Sequence, residues 1–374
     1  MFSDKNLIIF SYDFPPSNGG IARLCQEIAV GMKSYYNTVT VLTRKKDGEN
    51  FPYNLKDVHI IELPKNRLFC EIKAVKYLSK LKNKNNYDIL CGTWHPEGLL
   101  AIMAGFKNVF VLGHGTEFLS GSSNFRKRIW IKYYANFVLR KSRLIIANSE
   151  YTKGLITKVS KDSNVVTLPL AVNHEFFKPD KNKLSNSEKL KICTVSRIEQ
   201  FKGHDFIANV LLKINQKYPD KIEWNIGGTG EYLKELINLV NDLGIQKIVK
   251  FHGFVKDADL PCFYNQNDLF ILCTRENPSS VNVEGFGLVF LEAQSCGIPV
   301  IGTKTGGISD AVKEGSGGWL IEQDNEKELY ALFDNLLNGE QSIISSEGLK
   351  ARLRVEKDCT WEIYCNNLFQ LMRK

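Results

Sequence analysis

The feature that most restricts this chain is an alternation that runs, stops and starts again. Short apolar runs, "LIIFSY" (7–12), "TVTVL" (38–42), "VHIIEL" (58–63), "YDILCG" (87–92), "NVFVLG" (108–113), "RLIIAN" (143–148) and "NVVTLP" (164–169), are separated by amphipathic stretches such as 19–35, 70–83, 125–141 and 150–159. Unbroken β-branched runs predict strands of a parallel sheet buried on both faces. The stretch "FKPDKNKLSNSEK" (177–189), polar and carrying Pro179, then reads as a linker or exposed loop. The alternation resumes with "KLKICTVS" (189–196), "IEWNIG" (222–227), "KIVKFHG" (247–253), "DLFILC" (268–273), "IPVIGT" (298–303) and "GGWLI" (317–321), and the chain turns helical near Glu326. The pattern predicts an α/β protein of two successive doubly wound, Rossmann-like domains, 1–176 and 177–357. The segment 358–374 is expected to be a terminal helix with the option of crossing back to the first domain. Two such domains facing across a cleft would bind ligands beyond the C-terminal ends of their strands.

A length of 374 residues, 43% hydrophobic, suffices for two cores. The net charge of +8 is uneven: residues 1–176 hold 25 Lys/Arg against 14 Asp/Glu, or +11, and the remainder holds 24 against 27, or −3. A basic first half suits an anionic surface or substrate, although a lysine-rich chain can simply be soluble. No nucleic-acid partner is expected. The nine cysteines include no C-x-x-C pair and sit mostly in apolar runs, which predicts reduced, packed thiols and a cytoplasmic setting. The N-terminus lacks the pattern of a signal peptide, and no apolar run approaches the roughly 18–20 residues that span a bilayer, so membrane contact is expected to be peripheral.

Four segments follow predicted strands and carry residues suited to chemistry. In "YDFPPSNGGIARL" (12–24), Gly19 and Gly20 allow a close backbone approach, and the helix behind them offers unsatisfied N–H groups to an anion. An ordinary strand-to-helix turn would need one glycine. In "VSRIEQFKGHDF" (195–206), Arg197 and Lys202 stand beside a helix start, a place for a diphosphate; on spacing alone, two solvated surface cations fit as well. In "VLGHGTEF" (111–118), His114 follows a strand between glycines, although a lone histidine is more often structural.

The fourth segment, "NVEGFGLVFLEAQSCGIPV" (282–300), sets a problem, because an unpaired buried carboxylate is costly. Glu284 lies in a loop, and the glycines around Phe286 let backbone wrap a ligand. The N–H groups of Gly287, Leu288 and Val289 open a helix, and Glu292 lies four residues past Leu288 on the same side. A carboxylate there could accept bonds from the paired hydroxyls of a ribose, or could meet a neighbouring protein group instead.

Taken together, these motifs resemble the retaining GT-B glycosyltransferases of the family usually numbered four. "EGFGLVFLE" matches its E-x7-E motif; "SRIEQFKG", "PPSNGGIARL", "GHGTE" and "FHGFVKDADL" resemble its diphosphate, glycine-loop, His-Gly and base-binding segments. The resemblance covers nearly the whole chain and is especially close to mannosyltransferases that build phosphatidylinositol mannosides. It implies a nucleotide-activated hexose donor. Glu284 would bond hydroxyls of the transferred sugar, Glu292 the ribose, and Arg197 and Lys202 the diphosphate. Gly20 would approach that diphosphate, His114 would contact the donor sugar, and Val255 would offer backbone to the base. Ser196 departs from the family, which more often has glycine.

The family also implies front-face attack, with a phosphate oxygen taking the acceptor proton, so no carboxylate pair at glycosidase spacing is required. No cofactor and no essential metal are expected. "DAD" (257–259) reads as helix capping rather than a metal motif, and "GGTGEY" (227–232) is too short for a dinucleotide fingerprint. The rival readings are an epimerase of the same fold, a transferase acting on a small soluble acceptor, and a catalytically idle binding module.

One further stretch, "NFRKRIWIKYYANFVLRKSR" (124–143), holds seven Lys/Arg and no acid. Arg126, Lys127, Arg128, Trp130 and Lys132 read as a membrane-interfacial set, while the apolar side of the same helix can also pack on the sheet. The expected partners are therefore a nucleotide-sugar, a glycan or lipid-linked acceptor, and an anionic membrane surface at its cytoplasmic face.

Overall fold

A computed structural model describes residues 3–17, 19–45, 55–119, 123, 125–180, 188–277, 282–339 and 342–374, the side chains of 126–128 excepted. The chain divides into two compact units. Unit 1 comprises residues up to 169, 279–281 and 361–374; unit 2 comprises 170–278 and 282–360.

Unit 1 is built on a seven-stranded sheet: β1 (Ser3–Phe10), β2 (Tyr36–Arg44), β3 (Val58–Leu63), β4 (Tyr87–Cys91), β5 (Val109–Gly113), β6 (Leu144–Ala147) and β7 (Val165–Thr167), in the order β3-β2-β1-β4-β5-β6-β7. Unit 2 carries β8 (Leu190–Val195), β9 (Ile222–Gly227), β10 (Val249–Gly253), β11 (Leu269–Leu272), β12 (Val300–Thr303) and β13 (Gly318–Ile321), in the order β10-β9-β8-β11-β12-β13. Every pairing is parallel. Both sheets reverse direction beside their first strand, so the switch points lie at β1/β4 and at β8/β11. Those positions are where a doubly wound sheet opens a crevice for ligands.

The central strands are buried on both faces, as their unbroken apolar runs require; Leu7–Phe10, Ile89–Cys91 and Leu269–Leu272 are essentially inaccessible. The edge strands depart from that expectation. β10 exposes Lys250 and His252, and β3 exposes His59 and Glu62 and buries only Leu63. β9 buries Ile222, Trp224 and Ile226 in the unit 2 core while Glu223 and Asn225 turn to the other face in contact with Lys250 and His252. Trp224 satisfies its buried indole N–H on Thr194 Oγ1 at 3.0 Å.

The division between the units falls at 169/170 and at 360/361, seven residues before and three residues after the positions that composition suggested. Hydrogen bonding accounts for this. Val172 N–H donates to Cys359 O at 2.9 Å, and the Arg352 guanidinium donates to the carbonyls of His174, Phe177 and Ser295, which fastens the chain after Pro169 to unit 2. The last helix, Trp361–Arg373, packs in unit 1, where Phe369 meets the rings of Tyr35 and Tyr36. None of the nine cysteines forms a disulfide, and eight of them are buried.

Candidate active site

In unit 2 the site grows from the loops after β8 and β11. Lys202 ends a tight turn, Gln200–Lys202, and the next residue, Gly203, has φ +75°. A Cβ at Gly203 would lie 1.8 Å from the Cys273 carbonyl oxygen, so only glycine lets the two loops touch there. The same contact is clasped by Arg275: its N–H donates to Phe201 O at 2.6 Å, and its guanidinium bonds Asp205 at 2.7 and 2.9 Å and Asp324 at 2.7 Å.

This clasp brings Lys202 Nζ to 2.7 Å from Glu284 Oε2. Lys202 is 8% exposed, so the pair is held largely out of water. Glu284 is itself fixed, because its carbonyl accepts Gly307 N–H at 2.8 Å and Gly306 packs against it at φ +53°. Beyond it Phe286 is buried, and Gly287 at φ +90° opens helix Leu288–Ser295 without any side-chain cap. The start of that helix stands beside Glu284: a Cβ at Gly287 would lie 3.6 Å from Glu284 Cγ.

Arg197 is exposed and paired with Glu199 at 2.5 Å. Its loop is buttressed by the glycine turn after β9. Ile198 N–H donates to Thr229 O at 2.9 Å, and Cβ atoms at Gly228 and Gly230 would strike the carbonyls of Ser196 and Ile198. "GGTGEY" is thus a support for the Arg197 loop. Val255 follows β10 and packs over Gly227.

Glu292 is 5% exposed, and Tyr264 donates its hydroxyl to Oε2 at 2.9 Å. Burial, and then the neighbouring Glu292, push the Tyr264 phenol far above its usual pKa, which keeps it a donor. The chain therefore supplies a partner for this carboxylate, and the burial of Glu292 does not by itself require a ligand. Of the residues that precede the two turns at "DAD", neither Lys256 nor Asp259 makes a side-chain cap. Among the described residues no group of three or more His, Cys, Asp or Glu is arranged to hold a metal.

In unit 1, Gly20 opens helix Gly20–Gly31 behind β1, and the space a Cβ would occupy at Gly19 or Gly20 is empty to 4 Å. His114 follows β5; its Nε2 donates to Gly92 O at 2.7 Å and its backbone N–H donates to Glu117 Oε1 at 2.6 Å. The segment after β4 carries polar groups that the sequence did not flag. Glu97, buried, accepts Tyr12 N–H at 2.9 Å and the Thr93 hydroxyl at 2.6 Å, and burial raises its pKa. His95 lies between Tyr134 Oη, 2.5 Å from Nδ1, and Arg67 Nη2, 3.2 Å from Nε2. A guanidinium only donates, so Nε2 accepts and the His95 proton sits on Nδ1. Burial, and then Arg67, lower the pKa of this ring.

The basic stretch winds wider than an α-helix over Arg126–Ala135 before an α-helical end, Asn136–Lys141. Trp130 faces inward, with ring centroids 4.7 Å from His95, 4.8 Å from Tyr134 and 5.7 Å from Trp94. The outward stripe is instead Phe125, Ile129, Tyr133 and Phe137, each at least half exposed, alongside exposed Lys132. The side chains of Arg126, Lys127 and Arg128 lie outside the described residues. Among the described residues no helix is long and apolar enough to cross a membrane.

Two parallel Rossmann-like units, each with its loops at the switch point, define the GT-B fold. Two family models match in succession, Glycosyltransferase Family 4 over residues 18–176 and Glycosyl transferases group 1 over 176–353, and the chain belongs to these glycosyltransferases. It is 25% identical over 332 residues, 84% of this chain and 85% of the relative, to the GDP-mannose-dependent alpha-(1-6)-phosphatidylinositol monomannoside mannosyltransferase of Mycolicibacterium smegmatis. It is 23% identical, over 100% of this chain and 99% of the relative, to the GDP-mannose-dependent monoacylated alpha-(1-6)-phosphatidylinositol monomannoside mannosyltransferase of Corynebacterium glutamicum. Among solved structures, Anabaena HepE in complex with UDP and glucose matches with a TM-score of 0.76 at 18% identity, covering 98% of this chain and 99% of that one. The sucrose-phosphate synthase of Thermosynechococcus elongatus matches with a TM-score of 0.77 at 20% identity, covering 99% and 98%.

Proposed function

We propose that the chain transfers a hexose, with retention of configuration, from GDP-mannose or a UDP-hexose to a hydroxyl of a glycan or lipid-linked acceptor. The observation that carries this reading is the Lys202–Glu284 pair, locked by Gly203 and Gly306 at the β8/β11 switch point beside an uncapped helix start. Breaking a sugar–diphosphate bond develops negative charge on the leaving group. An ammonium, the Arg197 guanidinium and oriented backbone N–H groups are suited to stabilise that charge, and rigid donors do so without reorganising during reaction. With those cations in place the reaction needs no essential metal. Glu284 then turns from Lys202 toward sugar hydroxyls, and Glu292, shared with Tyr264, toward the ribose. The roles implied for Gly19, Gly20, His114 and Val255 toward the donor belong to the same proposal.

The outward stripe with Lys132, and the +11 balance of residues 1–176, favour work at an anionic membrane surface, its cytoplasmic face in this reading. The test is a comparison of GDP- and UDP-sugars for their ability to raise the melting temperature, followed by transfer assays in EDTA. One nucleotide class is expected to stabilise the protein, and turnover with it to depend on an added acceptor and survive chelation, with the product anomer matching the donor. Turnover without an acceptor would indicate an epimerase, and loss of activity in EDTA would remove the metal-free scheme.

A further inference from the structure

A cavity of about 430 Å³ opens in unit 2, with Lys191, Glu223, Asn225, Lys250, His252 and Gln266 among its walls. Lys191, Glu223 and Lys250 are each the second residue of their strands, β8, β9 and β10, so it opens toward the N-terminal ends of the sheet. The loops carrying Arg197 and Val255 leave the opposite ends, more than about 10 Å away along the strands. The helix after β10, Leu260–Asn265, spans only about 9 Å and leaves part of this face uncovered. We infer that this cavity is a second ligand site, for a monosaccharide carrying one anionic group, a sugar phosphate or a sugar acid. The assignment uses no residue of the site at β8/β11 and is independent of the transferase reading.

The floor is a preorganised polar network. Asn225 is 7% exposed and Asn267 2%. Asn225 donates its amide to Asn267 Oδ1 at 2.9 Å and to Glu223 Oε1 at 3.2 Å. A carboxylate paired with an ammonium, as Glu223 is with Lys250 at 2.6 Å, only accepts. The Asn225 oxygen is therefore the atom that meets His252 Nε2 at 2.7 Å, and Nε2 carries the proton. Nδ1 of the neutral ring is then an acceptor. Partial burial, and then Lys250, lower the pKa of this ring and keep it neutral near pH 7.

Lys191, His252 and Gln266 bring unmet valences into this space. Among the described residues neither Lys191 Nζ nor His252 Nδ1 has a hydrogen-bond or ion-pair partner. Gln266 donates to Cys262 Sγ at 3.3 Å, which leaves its amide oxygen over. Lys191 and Lys250 both act on one carboxylate, Glu223, so one positive charge is uncompensated there. A single anionic group matches that charge, and an ammonium takes phosphate or carboxylate alike. The two spare acceptors need hydroxyl donors, and inorganic phosphate carries too few to meet both. An uncharged sugar would desolvate Lys191 without a counter-charge. His252 and Phe263, with ring centroids 5.2 Å apart at 80°, give a sugar ring an apolar corner. The volume, at the lower end of the roughly 300–1,000 Å³ usual for ligand pockets, suits one ring with its charged substituent.

Cys262 lines the same cavity and is the exposed one of the nine cysteines, so its alkylation reports occupancy. The test treats the full chain with iodoacetamide, read by peptide mass, in the presence of hexose 6-phosphates, hexuronates, the parent hexoses or inorganic phosphate. At least one anionic sugar is expected to slow alkylation saturably and to raise the melting temperature, a readout that does not need the thiol. The parent hexose and inorganic phosphate should each bind at least about tenfold more weakly, and the phosphate and carboxylate arms show which anionic group is preferred. Protection should persist when the stabilising nucleotide-sugar is saturating. Lys191→Ala should weaken the anionic sugar by about tenfold or more, the loss of one charged hydrogen bond, and bring it level with the parent hexose. Since Lys191 pairs with nothing, this variant should keep the wild-type melting temperature without ligand. His252→Phe, which keeps the bulk of the ring, should weaken charged and parent sugar alike by about fivefold. Inorganic phosphate or the parent hexose binding as well as the anionic sugar, an unchanged affinity in Lys191→Ala, protection abolished by nucleotide-sugar, or no binding of any anionic sugar overturns the assignment.

Discussion

The glycines after β1 and those after β8 look alike in sequence and behave differently in the structure. At Gly203, and likewise at Gly228, Gly230 and Gly306, a Cβ would collide with backbone. These residues are needed by the fold of unit 2, because they let loops from different strands touch and hold Lys202 and Glu284 together. At Gly19 and Gly20 nothing in unit 1 would be disturbed by a methyl group. A pair of glycines that packing does not need is better explained by something that must come close. Unit 2 is thus tight and charged, with its candidate site built by steric necessity. Unit 1 offers open backbone and an aromatic cavity with Trp94, His95 and Trp130 in its walls.

The largest effect expected from breaking this contrast is at Lys202. Lys202→Ala should lower kcat/KM by about 10²–10³-fold, the usual loss for one preorganised donor to a developing anion. It should also destabilise the protein by about 3 kcal/mol, since Glu284 is left with less compensation in a mostly dry site. The double variant Lys202→Ala/Glu284→Ala should regain most of that stability in urea titrations and none of the activity. Equal stability of single and double variants would mean the pair is not a unit.

Next in size is Gly203→Ala. Positive φ and a Cβ 1.8 Å from a carbonyl oxygen together should cost at least about 2–3 kcal/mol, read as a lower urea midpoint with an unchanged slope. A comparable pH effect is expected from His204, the residue that follows. Its ring is buried, with Nε2 3.3 Å from Ser196 Oγ and Nδ1 unpartnered, and burial lowers its pKa to about 4. The unfolded chain, with a histidine pKa of about 6.5, binds the proton in the interval where the folded chain does not. Stability is therefore full above about 6.5 and falls as pH drops toward 4, by up to about 3 kcal/mol. His204→Gln should flatten that slope. An unchanged pH profile would show that the ring is protonated without cost.

How far these features could be read in advance follows from their physics. Strands announced themselves because parallel sheets demand unbroken β-branched runs, and that fixed the α/β class and the loops worth inspecting. The residues at strand ends were legible for the same reason. The Lys202–Glu284 bond was not, since 82 positions separate the partners and no local period links them. Tyr264 as the partner of Glu292 was hidden in the same way, 28 positions away. Trp130 was placed with the interfacial set on composition, which does not say which side of a helix meets the sheet; over Arg126–Ala135 the helix also winds wider than an α-helix. The cavity lined by Thr93, Trp94, His95, Glu117, Phe125 and Trp130 escaped notice because its walls come from three separate segments, each unremarkable alone.

A smaller effect should follow from Tyr264→Phe. Removing the hydroxyl that meets the buried Glu292 should cost about 1–2 kcal/mol, with the carboxylate left short of a donor. If the nucleotide ribose is the other natural partner of Glu292, a saturating nucleotide-sugar should restore part of that loss. The melting shift given by the ligand would then be larger in the variant than in the wild type. An equal shift in both would separate Glu292 from the ribose and leave Tyr264 as its structural reason.

The smallest change in stability, and the sharpest separation of the two kinds of glycine, is expected at Gly20. Its backbone has no positive φ, it begins a helix, and a Cβ there points into empty space. Gly20→Ala should therefore leave stability unchanged or raise it by up to about 1 kcal/mol, the helix-propensity gain of alanine over glycine. If the uncrowded backbone exists for a diphosphate to approach, the same methyl group should weaken the stabilising nucleotide-sugar, shifting its titration midpoint upward in melting assays. Gly203→Ala, by contrast, should lower stability whether or not ligand is present. A Gly20→Ala protein that binds donor as well as the wild type would remove the functional reading of the glycine loop and leave an ordinary strand-to-helix turn.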